Sequence, residues 1–173
     1  MNEFYTALNF GERVLKSDLR IKFRGELDYL NAVIILMQAE ILNEDENACD
    51  IKFKNSLEEI RKVITRLQKS EAANKNYGEL KIFGLDENQI HSLTHNHEDG
   101  YILFTPEIGK YAAEINLLRT LIRRIELTAC EAFINTNFDY THVLNRLSSA
   151  VYNLIYEFLP AGYKKFFRFN RPE

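Results

Sequence analysis

The chain has 173 residues, enough for one domain with a sizeable core; 46% are hydrophobic and 27% charged, as in an ordinary globular protein. A net charge of −3 at pH 7 argues against a dedicated nucleic-acid binder, whose footprint is strongly basic. No apolar run approaches the length of a membrane span, no secretory leader pattern is present, and Cys49 and Cys130 share no metal-ligand spacing, so we expect buried free thiols in a cytoplasmic protein with no membrane contact.

Three prolines and seven glycines leave long uninterrupted stretches, which favours helices. The first runs over about residues 17–43: Ser17 and Asp18 offer an N-cap region, and Phe23, Leu27, Leu30, Ile34, Met37 and Ile41 follow three-four spacing. Residues 44–49 are acidic and polar and read as a loop. A second helix over about 51–72 places Leu57, Ile60, Val63, Ile64 and Leu67 on one side and charge on the other. A polar linker (74–78) and a short segment (80–85) lead to a helix near 86–94, then a turn at 96–100. Residues 101–104 read as a short extended piece ending at Pro106. A third long helix is expected over about 106–133, with Tyr111, Ile115, Leu118, Ile122, Ile125 and Ala129 inward, and a last one over about 140–158, closed by Pro160 and Gly162. Four or five helices with short connections predict an all-α, up-and-down bundle of ferritin-like type: a single domain whose core covers about 17–159, followed by a basic aromatic tail at 160–173.

Polar groups on these helices mark candidate sites. Arg119, Arg123 and Glu126 recur at i, i+4 and i+7, beside the apolar seam of Ile115, Leu118, Ile122 and Ile125. Guanidiniums next to a packing seam are costly to desolvate unless they meet an anion or each other's counter-charge. Two arginine forks one turn apart, with Arg124 adjacent, suit a polyphosphate; an interhelical salt-bridge ladder is the structural alternative. Asp28 and Asn31, with Arg24 one turn earlier, form either a polar spot in the bundle or a solvated edge. Asn145, Arg146 and Ser148 sit among Val143, Leu144 and Leu147 and either contact a ligand or tie two helices together. His91, His95 and His97 beside Glu98 and Asp99 raise a metal site, but the turn-forming context favours a solvated loop and no metal site is assigned. The tail at 163–171 interleaves Tyr163, Phe166, Phe167 and Phe169 with Lys164, Lys165, Arg168 and Arg171; it could stack on a flat ligand or pack back on the bundle.

The chain has no phosphate-binding glycine loop, dinucleotide fingerprint or nucleophile triad, so chemistry here would rest on positioning and charge stabilisation. In order and spacing, F-G-E-R-V-L-K-S-D-L-R-I (10–21), G-E-L-D-Y-L-N (25–31), R-T-L-I-R-R-I-E (119–126) and L-N-R-L-S (144–148) resemble motifs of the trimeric ATP:cob(I)alamin adenosyltransferases, which are five-helix bundles. The family counterparts are G-x-R-V-x-K-x-D-x-R-V, G-x-x-D-E-L-N, R-T-x-x-R-R-A-E-R and N-R-L-S-D. The likeness extends over about residues 5–158.

The resemblance implies a homotrimer with sites between subunits, where ATP, Mg²⁺ and cobalamin (a corrinoid) meet. By the same resemblance, Asp28 would bridge to Arg119 across the interface, Arg123 and Glu126 would hold the nucleotide, and Asn145 would contact it from the last helix. Asn31 belongs to the same set, and Tyr101 falls near the aromatic residue that displaces the lower axial ligand of cobalt. The chain departs from the family pattern at several points. The Thr-Gly-Asp-rich phosphate loop is missing before Leu8, Leu127 replaces the last arginine of its motif, Ser149 replaces an aspartate, and Thr105–Glu107 replace a Pro-Gly-Gly turn. These departures describe a diverged member, and leave open an inactive one that binds a corrinoid or a partner protein without turning over ATP.

Overall fold

A computed structural model of the chain describes residues 3–9, 11–42, 47–97 and 100–167. It opens with an antiparallel hairpin of β1 (Tyr5–Asn9) and β2 (Glu12–Leu15), bulged between Ala7 and Asn9. Helix α1 (Leu19–Glu40) follows, capped by Asp18, whose carboxylate accepts the Arg20 N–H. It is shorter than the spacing predicts but buries the expected side: Phe23, Leu27, Leu30, Ile34 and Met37.

Helix α2 (Ala48–Ala72) begins earlier than expected. Asn47 and Asp50 form a reciprocal capping box, so Cys49 is drawn into the first turn instead of a loop; residues 43–46 lie outside the described ones. The expectation of buried thiols is also corrected. Cys49 and Cys130 are free and exposed, Cys130 because it stands one residue, about a quarter-turn, past the buried Ala129.

Strands β3 (Lys81–Ile82) and β4 (Leu85–Asp86) pair around Phe83 and Gly84, both with positive φ (54° and 73°), the backbone a two-residue hairpin with matching twist requires. Asp86 and Gln89 then cap α3 (Glu87–His95). After β5 (Tyr101–Ile102), the predicted helix from 106 is broken. Pro106–Ile108 form one 3₁₀ turn, and Gly109, at φ 81°, redirects the chain into α4 (Lys110–Phe133). Helix α5 (Tyr140–Tyr156) stops two residues short of expectation, and the tail returns as β6 (Phe166–Phe167), antiparallel to β5.

Side-chain pairs give the helix directions. Arg20 and Arg24 at the start of α1 meet Glu71 at the end of α2, and Lys110 at the start of α4 meets Glu40 at the end of α1. Phe53 near the start of α2 stacks on Tyr111 near the start of α4 at 4.5 Å. Thus α2 and α4 run the same way, and the long connection between them carries α3 across the outside of α5, as in ferritin-like crossovers. One cluster, from Leu27 and Ile60 through Ile122 to Val151, fills the space between the four long helices. No helix of the described residues is long and apolar enough to cross a membrane.

A buried carboxylate fixes the α1–α2 end. Glu71, 1% exposed, receives Arg20 at 2.6 Å on one oxygen and Arg24 at 2.5 Å on the other. Arg24 also donates to the Leu8 carbonyl, pinning the β1–β2 hairpin to the bundle.

Candidate functional site

An apolar cleft of about 340 Å³ lies between α4, α5 and the β5–β6 ribbon. Arg119 and Arg123 enter it from α4, Ser148, Ser149 and Tyr152 from α5, Tyr101, Ile102 and Phe104 from the β5 segment, Phe167 from β6, and Thr94 from α3. A mostly apolar wall with a few convergent charges is the usual composition of a small-molecule site.

Arg119 is the centre of its electrostatics. Its Nε donates to Asn116 Oδ1 at 3.2 Å, and its guanidinium carbon lies 5.6 Å from the Phe104 ring centroid and 5.5 Å from that of Tyr152. Among the described residues no carboxylate lies within ion-pair distance of it. Burial pulls this guanidinium below the usual arginine value, and the neighbouring charge of Arg123 acts in the same direction. A half-buried cation with no counter-charge among the described residues is chemically suited to meet an anion. Ser149 adds to this, since it lines the cleft with a hydroxyl where the resembling motif has a carboxylate.

One turn on, Arg123 is half exposed and keeps only a loose pair with Glu126, its Nη1 3.6 Å from Oε2. Glu126 is nearly buried; its Oε1 accepts the Asn145 amide at 2.9 Å, tying α5 to α4, and its Oε2 has no hydrogen-bond partner. Asn145 is therefore the helix tie that its position allows, made to a carboxylate whose other oxygen has no hydrogen bond and only the loose pair with Arg123.

The other predicted residues lie elsewhere in the protomer. Asp28 is exposed on the α1–α2 seam and accepts the Gln68 amide at 2.7 Å; Asn31 lies on the same seam with its Oδ1 buried and without a hydrogen-bond partner. Arg24 is occupied by Glu71. Arg146 donates to His91 Nδ1 at 2.9 Å. The three histidines do not converge: His91 and His95 sit ring against ring at 4.6 Å, while His97 turns to Asn153 Oδ1 at 2.8 Å. Among the described residues no three metal-ligating side chains gather; Glu98 and Asp99 lie outside them.

The tail, for which stacking on a ligand and packing on the bundle stood as alternatives, packs back on the bundle as far as Phe167. Leu103 N–H donates to Lys165 O at 2.9 Å, Phe166 stacks on Tyr156, and Phe167 reaches the cleft; Arg168, Phe169 and Arg171 lie outside the described residues. Phe104 and Tyr152 were missed by the motif reading. The available signal was position: Tyr152 stands four residues after Ser148 on the same helix face.

Known proteins resemble this chain in sequence and in fold. The family model described as cobalamin adenosyltransferase matches residues 3–157. The corrinoid adenosyltransferase EutT of Salmonella typhimurium is 31% identical over 156 residues, covering 85% of this chain and 55% of that protein, and EutT of Escherichia coli matches to the same extent. The chain thus spans about half the length of these relatives. Among solved structures, two variants of a PduO-type ATP:corrinoid adenosyltransferase from Lactobacillus reuteri, complexed with cobalamin and ATP, superpose with TM-scores of 0.65 and 0.67 at 19% identity. The first pairing covers 89% of this chain and 87% of the other, the second 96% of each, so the bundle fold is shared. Motifs, fold and family model together place the chain in the cobalamin adenosyltransferase family.

Proposed function

We propose that the protein transfers the 5′-deoxyadenosyl group of ATP to cob(I)alamin, at a site between subunits of a homotrimer of single-domain protomers in the cytoplasm. The observation that carries this reading is Arg119: half-buried, held between two aromatic rings, and without a carboxylate partner among the described residues. The corrinoid would lie against the aromatic side of the cleft, with Tyr101 facing it. The nucleotide would lie toward Arg123, Glu126 and Asn145, and Asn31 would shape the edge supplied by a neighbouring α1.

Cob(I)alamin attacks the ribose C5′, a cobalt–carbon bond forms, the C5′–O bond breaks, and triphosphate leaves with the bond's electrons. Stabilising that departing charge is work for Arg123 and for Mg²⁺ carried on the phosphates. The carboxylate fit to share the ion is Glu126, through the Oε2 that has no hydrogen bond and only a loose pair with Arg123. Asp28 is exposed, so Asp28 of the partner subunit can supply the counter-charge Arg119 lacks. Exposed Tyr29, Ile35 and Leu36 on α1 and Leu117 and Leu127 on α4 support burial of this side in an assembly. Exposed, unpaired thiols suit a reducing compartment.

The test is to mix the protein with ATP, Mg²⁺ and chemically reduced cobalamin and follow the cob(I)alamin absorbance. Loss of that signal faster than in a protein-free control is expected. No loss beyond the control rejects the transferase and leaves a family member that binds a corrinoid or a partner protein without turnover.

A further inference from the structure

Among the described residues, the β5–β6 ribbon that walls the cleft pairs two residues on each side. Ribbons this short do not hold together alone in water, so something must fix it to the bundle. Two tyrosines of α5 do so. Ile102 N–H donates to the Tyr152 hydroxyl at 3.1 Å, the Tyr152 and Tyr156 hydroxyls lie 3.0 Å apart, and the Tyr156 hydroxyl donates to the Gly100 carbonyl at 2.7 Å.

The proton directions follow from the two ends. A carbonyl only accepts, so Tyr156 spends its single hydrogen on Gly100, and Tyr152 must be the donor between the two phenols. The result is a one-way chain from Ile102 N–H through Tyr152 and Tyr156 to Gly100, with each donor used and Tyr101 held between its two ends. The Tyr152 ring meanwhile carries Arg119 on its face and lines the cleft, whereas Tyr156 does not line it.

We infer that Tyr152 and Tyr156 are positioning residues that act as one unit: the hydroxyl chain sets Tyr101 and its strand relative to the guanidinium of Arg119. The inference rests on the proposed adenosyltransferase reading for its kinetic consequence, but the geometry belongs to the chain itself. Tyr152→Phe deletes the middle of the chain and keeps the ring under Arg119. Tyr156→Phe deletes the next link without touching the cleft lining.

Steady-state kinetics of both variants and of the double variant, with cobalamin and ATP varied separately, give the decisive comparison. Each single variant should raise the KM for the corrinoid about tenfold, the scale of one buried hydrogen bond, and leave the KM for ATP unchanged. The double variant should be no worse than either single one. Amide hydrogen exchange at Ile102 should quicken in both, with the helices of the bundle unaffected. Additive effects, or a Tyr156→Phe protein with wild-type corrinoid KM, overturn the inference. A wild-type protein that neither binds nor adenosylates cobalamin rejects the functional reading instead. Ile102 exchange then still decides the structural claim, because it needs no ligand; unchanged exchange in the variants overturns it.

Discussion

Two pairs of arginines stand one turn apart on long helices of this bundle, Arg20 and Arg24 on α1 and Arg119 and Arg123 on α4. Their spacing is identical and their surroundings are opposite. The first pair closes on a buried carboxylate, Glu71, with further bonds from Arg20 to Asn74 and from Arg24 to the Leu8 carbonyl. The second has an aromatic cradle, a loose pair at 3.6 Å, and for Arg119 no carboxylate among the described residues. Charge satisfied from within holds a fold together; charge left unsatisfied beside an apolar cleft is available to a ligand or a partner chain. Helical spacing alone cannot tell the two apart, because the deciding residue comes from another helix.

Removing the internal counter-charge breaks the comparison most sharply. Glu71→Ala leaves two guanidiniums converging on a buried void, and we expect it to cost about 3–5 kcal/mol of stability, measured by denaturant unfolding. Near-wild-type stability would mean that the clamp is not structural. Arg119→Ala should do the reverse: a transition midpoint within a few degrees of wild type, and adenosylation kcat/KM lower by about a hundredfold. If instead the protein unfolds and the residual folded fraction keeps full activity, the two arginine pairs have exchanged roles.

The smallest effect concerns a neutral contrast to both. The Tyr111 hydroxyl donates to Asp50, and this bond pushes the phenol up to about 12. A phenol held neutral stabilises the fold fully below its ordinary value of 10 and loses that contribution as pH rises through about 12. The same bond lowers the Asp50 pKa, so that carboxylate's contribution is present above its ordinary range and fades as acid is added. Spectrophotometric titration of tyrosinate should show one fewer late-ionising tyrosine in Tyr111→Phe than in the wild type. An unchanged curve would show that the bond is not populated in solution.

Much of the bundle was legible in the sequence. Phe23, Leu27, Leu30, Ile34 and Met37 lie inward because three-four spacing leaves them no other face. The short strands were not legible as pairs, since two residues carry no period and their partners are set by distant chain. Residues 80–85 and 101–104 could be read only as short or extended pieces. Cys49 was misplaced because a capping box outweighed the acidic look of its surroundings. At the site, Arg119 and Arg123 stood out as charges on an apolar helix, and the cleft brings them together with Tyr101. Asp28 and Asn31 belong to a different seam of the same protomer, which sequence spacing has no means of showing. Glu71 as the partner of Arg20 and Arg24 is a tertiary fact separated from them by about fifty residues.

The pairing of β5 with β6 has a consequence for how the protein is made. On the ribosome, Tyr101 emerges long before Phe167, and α4 and α5 must be synthesised and folded back on each other before the two strands can meet. The nascent bundle therefore exists for a time with its arginines exposed and one wall of the pocket unbuilt, so competence to hold a guest arrives as a late, separate step after the helical core has consolidated.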